Sequence, residues 1–140
     1  YYEEDNMKST FVPNRNAIFS SILYGYAIIL LKKMKKKILI TLGVHSGDHA
    51  IYPDCREGFY KKLFNAFSEG NWDSDKVELM LPYLKLDKSQ ILLDAQKSCL
   101  KLEISFNTIF KNTITSYSPT EDGISSGKSG SDSHRQNRED

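Results

Sequence analysis

Two cysteines, Cys55 and Cys99, are all that this chain of 140 residues contains. That is too few for the disulfide framework on which small secreted domains rely, so a reducing cytoplasm is the expected setting. An excess of either charge is also lacking: 19 basic against 18 acidic residues leave a net charge of +1. No global field steers such a chain toward nucleic acid or an anionic membrane surface, and no direct nucleic-acid partner is expected. A membrane-length apolar run is missing too. The longest candidate, residues 17–31, has fifteen residues, against the roughly 20 needed to cross a bilayer. Ser20, Ser21, Tyr24, Gly25 and Tyr26 interrupt it, and no small-residue cleavage site follows it as after a signal peptide. The expectation is a buried helix of a soluble sheet protein, with no membrane. A chain of this length holds at most one domain. Its opening on Tyr1 rather than Met is expected of a processed product or a fragment.

What is present is concentrated in residues 38–56, ILITLGVHSGDHAIYPDCR. Residues 38–44 are an apolar run, β-branched at several positions and too short for a stand-alone helix. A strand buried on both faces of a parallel sheet reads this way. Gly43 and Gly47 then let the backbone turn tightly, and His45, Asp48, His49, Tyr52, Asp54, Cys55 and Arg56 follow. In open α/β sheets, ligands bind in the crevice beyond the carboxyl ends of the strands. This polar loop is therefore the place to look for function.

Around it the chain reads as alternating elements. Pro13 drives Val12 out of the helical region, and Asn14 or Asn16 is placed to cap a helix over about residues 15–34. Lys32, Lys33, Lys35, Lys36 and Lys37 close that helix. They read as a solvated end that suits the helix dipole, with a phosphate or RNA patch as the second reading. A second helix is expected over residues 55–68, with Phe59, Leu63, Phe64 and Phe67 on its core face and Gly70 after it. A strand is expected over residues 77–81. A third helix, residues 88–102, has Asp87 as its cap and Ile91, Leu92, Ala95 and Cys99 on one face. Residues 106–110 are a short apolar piece. From Ser118 onward Ser, Gly, Asp, Arg and Asn dominate, and the tail past about residue 133 is expected to be disordered. The alternation predicts part of an α/β parallel-sheet domain over residues 1–117, followed by a tail over 118–140.

Each motif carries an ordinary reading beside a chemical one. Residues 123–129, GISSGKS, resemble a phosphate-binding P-loop but have three residues between the glycines where the motif requires four. No buried strand precedes them, and the reading is rejected. His45, Asp48 and His49 are of metal-ligand type, yet their spacing matches no helical metal motif. Hydrogen bonding to a ligand, or anchoring of the loop, are the other readings. Cys55, between Asp54 and Arg56, lies where a helix start would stabilise a thiolate, and a histidine could serve as its base. The simpler reading is a packing residue. Arg56 offers a planar fork to carboxylate or phosphate, and Asp54 accepts from an amine or a purine-like ring edge.

Residues 10–16, TFVPNRN, followed one helix later by a strand, Gly43-Val44 and residues 52–56, YPDCR, resemble the 7-cyano-7-deazaguanine synthase family. These are ATP-dependent ligases of queuosine precursor biosynthesis, and the likeness covers about residues 8–117. The resemblance implies a Rossmann-like, adenine-nucleotide α-hydrolase-like fold, of which this chain would hold the C-terminal portion of a parallel sheet. It implies ATP, 7-carboxy-7-deazaguanine and ammonia as small-molecule partners, with the carboxylate activated as an adenylate on the way to the nitrile. A homodimer is among the assemblies it allows. Carried over, Arg15 and Asn16 would lie near nucleotide or substrate, and Asp48, Tyr52, Asp54 and Arg56 would line the deazaguanine side. The catalytic group stays unassigned.

Two departures from the family pattern stand out. The family's phosphate loop, S-G-G-x-D-S, occurs nowhere in the 140 residues and is expected upstream of Tyr1. The family's zinc cysteines are replaced by Ser116, Ser126, Ser129 and Asp132. Hydroxyls are poor zinc ligands at neutral pH, so no zinc is expected.

Overall fold

The computed structural model describes residues 11–113 and 120–121, the side chains of residues 49 and 50 excepted. Helix α1 (Arg15–Met34) is followed by strand β1 (Ile38–Thr41), helix α2 (Ser46–Ile51), a 3-10 turn over Pro53–Cys55 and helix α3 (Glu57–Glu69). A second 3-10 turn, Ser74–Lys76, leads into strand β2 (Val77–Met80), helix α4 (Lys88–Lys101) and helix α5 (Phe106–Phe110). Contacts divide the chain into two compact units: Thr10–Leu86, and Tyr1–Ser9 with Asp87–Asp140. The division at Leu86 falls inside the stretch read from sequence as one domain.

Helix α1 starts where Pro13 ends the extended approach. Asn14 holds the cap position in the left-handed region, φ 59°, and its side chain makes no capping bond. Asn tolerates that region better than most residues. The other capping candidate, Asn16, sends its amide elsewhere. At the far end Lys35 also turns left-handed, and its N–H donates to the Leu31 carbonyl at 2.8 Å. Residues 32–37 are exposed around these last carbonyls, the arrangement expected of a solvated, dipole-complementing end.

One stripe of α1 is buried: Ser20, Tyr24, Ala27, Ile28 and Leu31. The Tyr24 ring packs against Phe64 and Phe67 of α3, centroids 5.6 and 5.2 Å away. The opposite stripe, Ile18, Phe19, Ile22, Tyr26 and Ile29, is more than half exposed. The expectation of a buried helix therefore holds for one face only. The shortness argument also needs correcting. With Arg15, Asn16 and residues 32–34 included, α1 has 20 residues, about 30 Å, and passes for a bilayer span by length and composition.

Strands β1 and β2 pair in parallel, Ile38 opposite Val77 through Thr41 opposite Met80. The connection between them runs through α2 and α3, the helical crossover that parallel pairing requires. Among the described residues the sheet has these two strands. Its helix-covered face carries Ile40, which joins Tyr24, Ala27, Ile28, Val44, Cys55, Tyr60 and Phe64 in one core. On the other face Leu39 is 49% exposed and Met80 41%. The expected burial of β1 on both faces is thus not met, because α1 and α3 pack on the Ile40 side alone. The core face of α3 is centred on Tyr60 and Phe64, with Phe59 and Phe67 half-buried beside them.

In the second unit, Asp87 caps α4 as expected. Its carboxylate accepts from the Ser89 and Gln90 N–H groups, both at 2.9 Å, and the Gln90 side chain accepts from the Asp87 N–H in return. This reciprocal box satisfies donors that a helix start leaves open. Cys99 is buried, as a small hydrophobe would be, while Leu92 of the expected inner face is exposed. Residues 106–110 form α5, with Ser105 accepting from the Thr108 N–H and the Phe106 and Phe110 rings stacked at 4.2 Å.

Among the described residues, the buried Tyr24 hydroxyl has no hydrogen-bond partner. An unsatisfied buried group costs about 1–3 kcal/mol, so Tyr24→Phe is expected to leave stability unchanged or raise it by about 1 kcal/mol in urea melts. Tyr24→Ala, which empties the α1–α3 contact, is expected to cost about 3–5 kcal/mol. A loss above about 1 kcal/mol in Tyr24→Phe would show that the hydroxyl is bonded after all.

Candidate functional site

The exit from β1 is fixed by His45. Its backbone is extended, and its ring Nδ1 accepts from the Gly47 N–H at 3.1 Å, capping α2. A nitrogen that accepts carries no proton, so the ring proton sits on Nε2, 3.2 Å from the Asp48 carboxylate. Gly47 leaves room for this ring. A Cβ on it would come within 3.0 Å of the His45 ring, whereas a Cβ on Gly43 would meet nothing within 4 Å. Of the two expected turn glycines, then, Gly47 sits tightly against the ring and Gly43 stands in open space. Ser46 ties this loop to the exit from β2, its N–H and hydroxyl both donating to the Leu86 carbonyl at 3.0 and 2.9 Å.

The chain then turns back under the start of α1. The Tyr52 N–H donates to the Asp48 carbonyl at 2.8 Å, and its ring lies near-parallel to Phe11, centroids 6.3 Å apart. Pro53 sits at the start of the 3-10 turn, a position that asks for no N–H. The turn buries Asp54 (8% exposed) and Cys55 (6%). Across 38 residues of sequence, the Asn16 amide donates to the Asp54 carbonyl and, at the same 3.4 Å, to the Cys55 sulfur.

The charges around this turn act on its buried groups. Burial, then the charges of Asp48 and Asp54, push the Cys55 thiol from 9.0 up to about 11, against smaller lowering effects of the Asn16 hydrogen bond and the Arg15 guanidinium. Tyr60 is pushed up to about 12 by burial and then by Cys55, Asp54 and Asp48, with Arg15 again opposing. Arg15, Asp48 and Asp54 thus act on both Cys55 and Tyr60, and Asn16 on Cys55. Tyr52 stands at the start of the turn beside Phe11. Arg56 is exposed at the cap of α3, where its carbonyl accepts from the Phe59 and Tyr60 N–H groups.

The thiolate considered for Cys55 is not supported. A thiol held neutral by burial beside two carboxylates is a poor nucleophile, and the packing reading holds. His45 is engaged through both ring nitrogens in anchoring the loop. The side chain of His49 lies outside the described residues, as do residues 123–129 and the positions Ser116, Ser126, Ser129 and Asp132. Among the described residues no group of three His, Cys, Asp or Glu side chains is placed to hold a metal ion. Sequence reasoning missed Tyr60, whose spacing with Phe64 and Phe67 carried the signal, and Phe11, for which only its place in the first motif could have served. A cleft of about 510 Å³ lies between α3 and β2, lined by Tyr24, Phe64, Val77, Leu79 and Lys85 among others. None of the six sequence-predicted site residues lines it.

Two parallel strands joined through helices make this an α/β protein, with the buried Asp54 and Cys55 in the segment that follows β1. The model of the family described as queuosine biosynthesis protein QueC matches residues 1–138, and the chain belongs to that family. It is 49% identical over 94 residues to a 7-cyano-7-deazaguanine synthase of Pseudoalteromonas translucida, covering 67% of this chain and 40% of that protein. To 7-cyano-7-deazaguanine synthase 1 of Colwellia psychrerythraea it is 40% identical over 131 residues, 94% of this chain and 52% of the relative. The chain thus spans about half the length of the curated relatives it matches. No solved structure matches it.

The raised Cys55 and Tyr60 values set a pH dependence. A group whose folded value lies above its unfolded one favours the folded state in its protonated form. Stability is therefore expected to be full below about pH 9 and to fall as the pH rises from there toward about 11. Urea midpoints at pH 7, 9 and 11 check this. At pH 8, Cys55 in the folded chain is expected to alkylate on the order of 100-fold more slowly than a free thiol, the thiolate fraction lost to the shift. Equal rates would restore Cys55 as a reactive group.

Proposed function

We propose that this chain carries the deazapurine-side residues of a 7-cyano-7-deazaguanine synthase. In that reading the family ligase converts 7-carboxy-7-deazaguanine and ammonia to 7-cyano-7-deazaguanine, with ATP activating the carboxylate as an adenylate. One observation carries it above the others. The Asn16 amide of the first motif reaches Asp54 and Cys55 of the second, so the two stretches that carry the family likeness touch in the fold, which supports reading them as one site. The printed names of the relatives point the same way.

The roles follow from the side-chain chemistry. Asp54 and Asp48 accept from the N–H groups of a deazapurine edge, and a buried carboxylate does so without competition from water. Arg15 and Arg56 supply positive charge for the substrate carboxylate or the nucleotide phosphates. Tyr52, beside Phe11, offers an aromatic face to the ring system, and Asn16 holds the turn that presents Asp54. ATP is the proposed cosubstrate and a structural zinc is not proposed. The cytoplasm is the proposed setting and a homodimer the proposed assembly. A second reading is favoured by one fact: the S-G-G-x-D-S phosphate loop is absent from these 140 residues. On that reading, the 140-residue chain by itself binds a nucleotide or deazapurine without turning it over.

Calorimetric titration of the chain with 7-carboxy-7-deazaguanine tests the site. Arg56→Ala is expected to weaken binding at least tenfold, about 1.4 kcal/mol. Binding within twofold of wild type would remove Arg56 from the site, and no binding by the wild-type chain would contradict the assignment. Nitrile formation by the chain alone would exclude the binding-only reading.

A further inference from the structure

The helix-covered face of the sheet is closed over β1 and open over β2. Strand residues alternate sides, so the register that sets Ile38 opposite Val77 puts Val77 and Leu79 on the same face as Ile40. Ile40 is buried, whereas Val77, Leu79, Leu81 and Leu84 stay half-buried. The cleft of about 510 Å³ lies along them, within the Thr10–Leu86 unit, and Tyr24 and Phe64 complete its apolar lining. Small-molecule sites have this size, and an apolar lining with a few placed polar groups. The Tyr24 hydroxyl is shut off from solvent, so polar contacts fall to the rim. There α3 contributes Glu57, Lys61 and Asn65, and Lys85 follows β2, all four exposed. Lys61 pairs with Glu57 at 2.7 Å. The Lys61 hydrogen bond and charge, and then Lys85, hold the Glu57 carboxyl below its usual range, so Lys85 is close enough to act on it. Two ammonium groups thus stand against one carboxylate, and Lys85 makes no ion pair among the described residues.

We propose that this cleft binds a small apolar monocarboxylate, with its hydrocarbon body on Val77, Leu79, Leu81 and Leu84 and its carboxylate on the Lys85 ammonium. One unmatched cation suits one negative charge. A dianion would leave a charge unpaired, and a cation would be repelled by Lys61 and Lys85. A polar heterocycle such as a deazapurine fits the lining badly, because the apolar side chains offer its N–H groups no acceptor. The hydrocarbon body gains instead from every apolar wall it covers, and covering them completes the burial that α1 and α3 give Ile40. None of Asp48, Asp54 and Arg56 lines the cleft, and nothing here rests on the substrate reading.

Octanoate and naphthoate, one carboxylate on an alkyl body and one on an aromatic body, are titrated into the chain and followed by calorimetry and saturation-transfer NMR. Their neutral counterparts, octanol and naphthalenemethanol, are run beside them. At least one carboxylate is expected to bind with a Kd below about 1 mM, and more tightly than its neutral counterpart. The tighter of the two tells an alkyl from an aromatic ligand. Lys85→Glu is expected to weaken the carboxylate at least tenfold and to leave the neutral counterpart within twofold. Lys33→Glu, the same charge change at the exposed end of α1, is expected to leave both unchanged. Asn65→Trp, which crowds the rim from an exposed position, is expected to weaken both without changing the circular dichroism. No binding of either carboxylate, whether the cleft stays empty or a second copy covers it, overturns the assignment. So does a carboxylate that binds no better than its neutral counterpart, that loses as much in Lys33→Glu as in Lys85→Glu, or that is indifferent to Asn65→Trp.

Discussion

The candidate site hangs on the reach of one amide. Asn16, in the first turn of α1, bonds the Asp54 carbonyl and the Cys55 sulfur 38 and 39 residues further on. Each bond is long at 3.4 Å, and neither alone would hold a loop in place. What makes them effective is the packing behind them. The Tyr24, Ala27, Ile28 stripe sits on Ile40 and Phe64, so the start of α1 arrives over the 3-10 turn already oriented. The entropy of closing so long a loop is met by the core, and the amide then selects one position of the turn. Asp54 lies buried in that turn, with its backbone carbonyl held by the amide.

The same burial decides what the site does not do. Cys55 and Tyr60 are both pushed toward their neutral forms by lost solvation and by the carboxylates beside them. Neither is set up to attack or to shuttle a proton near neutral pH. The groups that remain are acceptors and cations, Asp48, Asp54, Arg15 and Arg56, which are proposed above to bind and orient. That division is in keeping with the proposed role of the chain in binding rather than bond-making.

Much of this was legible from the residues. The bounds of α1 and the start and cap of α4 were readable because Pro13, the lysine block and the Asp87–Gln90 pair are local signals, and local signals survive into the fold. The convergence of the two motifs was legible only through family resemblance, because no periodicity reports a contact 38 residues long. Three features were misread. Residues 38–44 look like a strand covered on both sides, but apolar content says what a strand prefers, not what is there to cover it. Asn16 looks like a cap, since short amides at helix starts commonly are, yet its partner lay across the fold. Tyr60 was passed over because Phe59 beside it gave the same helical stripe a more apolar appearance. Each miss is a tertiary effect overriding a sound local rule.

Amide hydrogen exchange in Asn16→Ala tests most directly whether the two motifs form one site through this side chain. The N–H groups of Cys55 and Arg56 close the 3-10 turn onto the Tyr52 and Pro53 carbonyls, at 3.1 and 3.4 Å. Loss of the Asn16 amide is expected to speed their exchange at least tenfold and to leave α4 at its wild-type rates, since the capping box of that helix is independent of the turn. Unchanged protection of Cys55 and Arg56 in the variant would contradict the claim, and would mean that packing alone shapes the turn.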